Sequence, residues 1–222
     1  MNAEVPNATI DYAKLRAEPV RTDPYPFFIA EDVIPAGFAD AAARDFPAID
    51  RPGSVPIDEL DCGPAFKAVL DELESDRFRA LMAEKFGVDL DGKAISMNAR
   101  GQMRSKDGNI HTDTPVKLVT VLLYFNKEWP GRKSALRILR NGHDLDNYVE
   151  EAPPTLGTMV AFKVTPNCWH GHTPVVGPRH SIQMNYLSGI ERTGKHQRLH
   201  RLYGKARRAI ARWRGKLPAE AV

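Results

Sequence analysis

Leu118-Val119-Thr120-Val121-Leu122-Leu123-Tyr124-Phe125 is a nearly continuous run of apolar and β-branched residues. A strand with one wet face alternates, whereas an unbroken run is expected of a strand covered on both faces, so this segment predicts a central strand between two layers. Upstream, from Ala94, the period is already two. Residues 95–104 read as a strand and 105–109 as a loop delivering a further strand at Ile110-His111. Downstream, residues 126–133 read as a loop, and 135–139, 158–164, 169–173 and 181–187 as short strands separated by Gly, Pro and Asn. The N-terminal part differs. Residues 1–24 read as an irregular lead-in with one short helix over 12–16, then a strand at 25–29, a helix over 36–46 and a Pro/Gly-rich link at 52–56. Residues 63–86 are the strongest helical region, with Phe66, Val69, Leu70 and Leu73, then Phe78, Leu81, Met82 and Phe86, at three- and four-residue spacing. Helices first and many strands after predict an α+β, mainly β fold: a cupin-like jelly roll, or double-stranded β-helix, with N-terminal helices packed on one sheet.

With 222 residues, 42% of them hydrophobic, the chain has the length of one domain. We expect a single unit over 1–222, with 1–93 as helical support, 94–190 as the jelly-roll core and 191–222 as a basic tail. The start shows no basic segment followed by an apolar run, and no stretch reaches eighteen apolar residues, which predicts a soluble protein. Cys62 and Cys168 are sparse and far apart, which fits reduced thiols in a cytoplasm rather than a disulfide framework. Charge is uneven. Residues 192–222 hold ten Lys or Arg against Glu220 alone, a charge of +9, which leaves −6 on the rest of a +3 chain. In that tail Leu199, Leu202, Tyr203, Ala206, Ile210, Trp213 and Leu217 share one helical face. Such a basic helix suits docking on its own barrel, on a second subunit or on an anionic surface.

His111-Thr112-Asp113 places an imidazole and a carboxylate two residues apart, so in an extended chain both leave one face and can reach one metal ion. Alone, such a tripeptide is better explained by a solvated loop. A second cluster raises it: Asn167-Cys168-Trp169-His170-Gly171-His172, in which His170 and His172 both qualify as a third ligand. Two histidines and one carboxylate holding one face of a metal form the usual site of non-haem Fe(II) oxygenases. Further on, Arg179, Ser181 and Gln183 alternate with His180, Ile182 and Met184, so the first three form a polar stripe. Facing a barrel interior, that stripe needs a ligand; facing water, it is ordinary alternation. Asn98, Arg100, Gln102 and Arg104 form a similar stripe, readable as a cavity mouth or as a solvated face, and Lys117 is equally ambiguous. His143, His180, His196 and His200 have no such partners in the sequence and read as exposed loop or tail residues.

His111-x-Asp113, then His170, then Arg179 nine residues later resembles the iron and 2-oxoglutarate-dependent oxygenases, in particular the branch with the prolyl hydroxylases. Leu123-Tyr124-Phe125-Asn126-Lys127-Glu128-Trp129 resembles the strand and loop after the first ligand pair there, and the likeness covers residues 94–190. The resemblance implies that His111, Asp113 and His170 bind Fe(II). It selects His170 over His172, which becomes an active-site neighbour, because the family sets its distal ligand at a near-constant distance before the basic anchor. It implies that Arg179 anchors the distal carboxylate of 2-oxoglutarate, that Tyr124 donates to the same carboxylate and that Ser181 completes an Arg-x-Ser pattern. The reaction implied consumes O2, releases succinate and CO2 and hydroxylates a small-molecule or peptide substrate; halogenating relatives replace the carboxylate that Asp113 retains. Where relatives often carry two glycines before residues 136–139, this chain has Ser134-Ala135, a departure at the turn or substrate rim. The rival reading is a non-catalytic or differently metallated cupin-like binding protein, for which Arg179 and Tyr124 would have no use.

Overall fold

Residues 9–130 and 134–189 are described by a computed structural model. In order they form α1 (Tyr12–Ala17), β1 (Phe27–Ala30), α2 (Ala36–Arg44), β2 (Val55–Pro56), α3 (Pro64–Leu73), α4 (Asp76–Phe86), β3 (Ala94–Met103), β4 (Lys117–Tyr124), β5 (Leu136–Leu139), β6 (Tyr148–Ala152), β7 (Met159–Lys163), β8 (His170–Gly171) and β9 (Gly177–Leu187). Six strands pair in the order β1-β7-β4-β9-β3-β2 and three in the order β6-β5-β8, all antiparallel. This is the expected jelly roll, with the helices packed against the larger sheet. The tail proposed over 191–222, with its apolar face from Leu199 to Leu217, lies outside the described residues.

The central strand explains the unbroken apolar run. On β4, Val119, Val121 and Leu123 are buried in the core shared with Phe66, Val69, Phe78 and Met82 of the helices. Leu122 and Tyr124, of opposite parity, pack on the other face with Ile138 and Phe162 between the sheets. Each fully buried Val, Leu or Phe side chain contributes about 1.5–3 kcal/mol relative to exposure. Both faces of β4 are therefore stabilised by packing. The same alternation on β9 sends Ile182, Met184 and Tyr186 to the helices, which leaves Arg179, Ser181 and Gln183 to the interior.

The single helical region expected over 63–86 is two helices. Ser75 has extended backbone (φ −66°, ψ 152°) and its hydroxyl accepts a hydrogen bond from the Phe78 amide at 3.1 Å. The chain thus restarts a helix rather than continuing one, and both apolar sets still reach the same core. Gly87 ends α4 in the left-handed region (φ 57°). β6 was not foreseen. Its sequence Tyr-Val-Glu-Glu-Ala is that of a charged edge strand, with Glu150 paired to Arg21 and Glu151 to Arg137. The final strand also begins earlier than expected, at Gly177, so Arg179 lies within it. No helix among the described residues is long and apolar enough to cross a membrane.

Candidate metal and co-substrate site

His111 and His170 come from remote parts of the chain and are brought together by the main chain. Each backbone amide donates to the other's carbonyl at 3.0 Å, so His111 extends the smaller sheet beyond β8. Their ring centroids are 4.3 Å apart. One ligand atom each from His111, Asp113 and His170 lie within 4.8 Å of one another. The Nδ1 of His111 faces the Asn109 carbonyl and that of His170 the Cys168 carbonyl, both at 2.8 Å. Only a protonated nitrogen can donate to a carbonyl, so both rings keep the Nε2 lone pair for a ligand.

Asp113 is held at both oxygens, by Lys117 Nζ at 2.8 Å on Oδ1 and by the Thr120 hydroxyl at 2.5 Å on Oδ2. Burial pushes its carboxyl up, but the hydrogen bonds from Lys117 and Thr120 and the Lys117 charge outweigh it, so its pKa lies below the usual value. Burial, with His111 nearby, pushes His170 down to about 4. At neutral pH the cluster offers one carboxylate and a neutral imidazole at His170, donors that suit a divalent transition metal.

The same cavity, of about 140 Å3, is lined by Tyr124 of β4 and by Arg179, Ser181 and Gln183 of β9. Arg179 is 3% exposed. Its Nη1 donates to the Ser134 carbonyl at 2.6 Å and its Nη2 to the Tyr124 hydroxyl at 3.2 Å, and its guanidinium lies 5.2 Å from the Tyr124 ring and 5.5 Å from the Trp129 ring. Among the described residues it forms no ion pair. A buried guanidinium without an acid is costly, and an anionic ligand repairs it. Ser134 adopts the left-handed backbone (φ 56°) and anchors the turn through its hydroxyl, which donates to the Thr173 carbonyl at 2.7 Å.

His172 lines the cavity too, its Nδ1 on the Thr173 carbonyl at 2.9 Å, and burial with the Arg179 charge lowers it to about 4. It stands outside the three-ligand cluster. Of the second polar stripe, Asn98 and Arg100 line the cavity, but a register shift between Arg100 and Gln102 turns Gln102 away and brings Met103 in. Burial lowers the Arg100 pKa, Asp107 raises it, and Arg104 and Arg179 lower it further. Sequence reasoning missed Thr120 as a carboxylate partner; its signal is a hydroxyl within an apolar strand on the parity of Tyr124. His143 is exposed and His180 stacks on Phe46 with centroids 4.6 Å apart, away from the cluster, while His196 and His200 lie outside the described residues.

Residues 99–187 match the 2OG-Fe(II) oxygenase superfamily. No curated protein sequence matches the chain. Among solved structures, a Pseudomonas putida prolyl-4-hydroxylase is similar with a TM-score of 0.55 at 15% identity, over 82% of this chain and 96% of that one. A prolyl 4-hydroxylase from Phytophthora capsici aligns with a TM-score of 0.58 at 16% identity, over 85% and 70%. HygX from Streptomyces hygroscopicus, solved with iron bound, gives 0.52 at 10%, over 82% and 88%. At these identities the likeness is one of fold. The matched stretch runs from β3 to β9 and carries His111, Asp113, His170 and Arg179, so it is in the part of the chain holding the site that the sequence is similar to oxygenases working with ferrous iron, 2-oxoglutarate and dioxygen.

Proposed function

We propose that His111, Asp113 and His170 hold the Fe(II), that Arg179, with the Tyr124 hydroxyl and Ser181, takes the distal carboxylate of 2-oxoglutarate, and that the enzyme hydroxylates an unactivated C–H bond of a peptide or small molecule. The observation that carries this reading is the buried Arg179 guanidinium, free of any ion pair among the described residues, on the cavity that His111 and His170 of the ligand cluster also line. Bound together, the metal and the keto acid supply an oxidant by reducing O2 as the co-substrate is decarboxylated to succinate and CO2. The protein's residues set the conditions. The Asn109 and Cys168 carbonyls fix the two imidazoles in the tautomer that presents Nε2. Thr120 and Lys117 keep Asp113 ionised and oriented. Tyr25 and Phe162, buried behind His170, exclude water from that side of the site.

The test is an anaerobic titration of the full-length protein with Fe(II) and 2-oxoglutarate, in which a weak visible charge-transfer band is expected. His111→Ala and Asp113→Ala abolish the band and also the slow succinate release seen without substrate. Normal succinate formation in either variant would remove the assignment. The prolyl 4-hydroxylase folds suggest proline-containing peptides as a first panel, scored by succinate released above the uncoupled rate.

We also read residues 1–222 as a single domain, supported by β1, near the N-terminus, pairing with β7 inside the larger sheet. The buried, unbridged thiols Cys62 and Cys168 support a cytoplasmic setting. The basic segment 191–222 is assigned to contact with its own barrel, a second subunit or an anionic surface, on its charge alone.

A further inference from the structure

The cavity wall carries a second guanidinium that the co-substrate does not require. Arg100 projects from β3 directly opposite Ser181 of β9 and lines the same cavity as His111, His170 and Arg179. Arg179 is almost fully enclosed, whereas the Arg100 side chain is 29% exposed, so Arg100 sits toward the opening. Among the described residues no Asp or Glu lines the cavity, and Asp113, clustered with His111 and His170, is already held by Lys117 and Thr120.

The nearest acid is already taken. Both oxygens of Asp107 are held by Arg104: its backbone amide at 2.8 Å and Nε at 3.4 Å reach Oδ2, and Nη2 reaches Oδ1 at 3.1 Å. Arg100 Nη1 stands 3.5 Å from Asp107 Oδ2, outside ordinary hydrogen-bond length. Two guanidiniums therefore share one carboxylate, and one positive charge is left over. The acceptors that Arg100 does reach are weak or neutral: the Ser54 hydroxyl at 3.1 Å and the Met103 sulfur at 3.4 Å. A guanidinium has five donors and these contacts use two, so Arg100, on the cavity lining, keeps donors for a ligand. Asn98, on the same face of β3, and Gln183, its partner across the pair on β9, extend a neutral polar rim beside it.

We infer that Arg100 is the recognition point for an anionic group of the substrate, a carboxylate or a sulfate or phosphate ester, bound at the cavity opening while 2-oxoglutarate occupies Arg179. The inference rests on the co-substrate assignment above, because it takes Arg179 as already engaged. Asn98 and Gln183 then supply uncharged hydrogen bonds around the anion, and the leftover charge of the Arg100–Asp107–Arg104 group is neutralised by the ligand. A substrate lacking the anion leaves that charge uncompensated, which gives discrimination without a change at the metal.

The experiment uses the full-length protein loaded anaerobically with Fe(II) and saturating 2-oxoglutarate, titrated with sodium sulfate at constant ionic strength and followed by calorimetry and the charge-transfer band. One sulfate per chain is expected. Arg100→Gln weakens it by roughly tenfold or more, as expected for loss of a charge-assisted pair. Arg100→Lys, which keeps the charge, retains sulfate affinity to within about fivefold. Acetate in place of sulfate separates a carboxylate-bearing substrate from an ester oxyanion. Arg100-independent sulfate binding, or none in the unmodified protein, overturns the inference. So does a loss of 2-oxoglutarate affinity in Arg100→Gln equal to the loss for sulfate, which would make Arg100 a co-substrate anchor. Absence of the charge-transfer band in the unmodified protein sinks the co-substrate assignment first; a normal band with Arg100-independent sulfate binding sinks this inference only.

Discussion

Replacing Arg179 with methionine removes the fork while keeping an apolar stem of similar reach. In the structure both terminal nitrogens are aimed at neighbours, Nη1 at the Ser134 carbonyl and Nη2 at the Tyr124 hydroxyl, so the group is already oriented. Two charge-assisted hydrogen bonds to a carboxylate are worth about 1.5–3 kcal/mol each. The Tyr124 hydroxyl survives the substitution and keeps part of the contact, so the lower end applies. A loss of about 3 kcal/mol corresponds to roughly a hundredfold weaker 2-oxoglutarate binding. Fe(II) affinity changes little, because none of the three ligand atoms belongs to Arg179. Arg179→Lys falls between the two, since it restores a point charge but not the paired geometry. The assay is an anaerobic titration of 2-oxoglutarate into the Fe(II) protein, with the metal varied in a second series. A dissociation constant in Arg179→Met within about threefold of the unmodified protein would refute the anchor role, since it leaves under 1 kcal/mol for two buried charged contacts.

The metal-free protein should lose stability as pH falls from 6.5 toward 4. His170 and His172 have folded pKa values near 4, below the unfolded value near 6.5. In that window the unfolded chain binds more protons, so stability is full above 6.5 and declines by at most about 3 kcal/mol per histidine on acidification. Melting temperature against pH measures it: His172→Gln should remove about half the slope, and a flat profile in the unmodified protein would contradict it. Gly108→Ala should destabilise by about 1–3 kcal/mol, because Gly108 has φ 102° and an added Cβ would lie 2.5 Å from the His172 ring and 2.6 Å from its carbonyl oxygen. Denaturant unfolding checks this, and a midpoint equal to that of the unmodified protein would show that the loop relaxes freely.

What could be read in advance depended on which force placed each residue. Burial on two faces writes itself into an unbroken apolar run, so the central position of β4 was legible from residues 118–125. The strand pairing that joins His111 to His170 is non-local and leaves no periodicity, so their proximity was reached through resemblance. The break at Ser75 was invisible to periodicity because both halves face one core; its signal was a Ser three residues before Phe78, a cap rather than a pattern. β6 was missed because its pairing with β5 stabilises it at an edge, where charged side chains such as Glu150 are tolerated. Gln102 was set on the wrong face by strict alternation. At the register shift Gly101 alone stands opposite two residues of β9, Arg179 and His180, and alternation within β3 carries no trace of an extra residue on its partner.

The reciprocal amide bonds between His111 and His170 make ligand spacing a property of the backbone. Breathing at this seam would part the two imidazoles in the same motion that frays the end of the smaller sheet, so an ion held as proposed would be released only as the strands open. An ion bound there would in turn act as a rivet on an otherwise terminal pairing. Amide hydrogen exchange at positions 111 and 170 becomes a direct clock for how often the centre lets go of its ion.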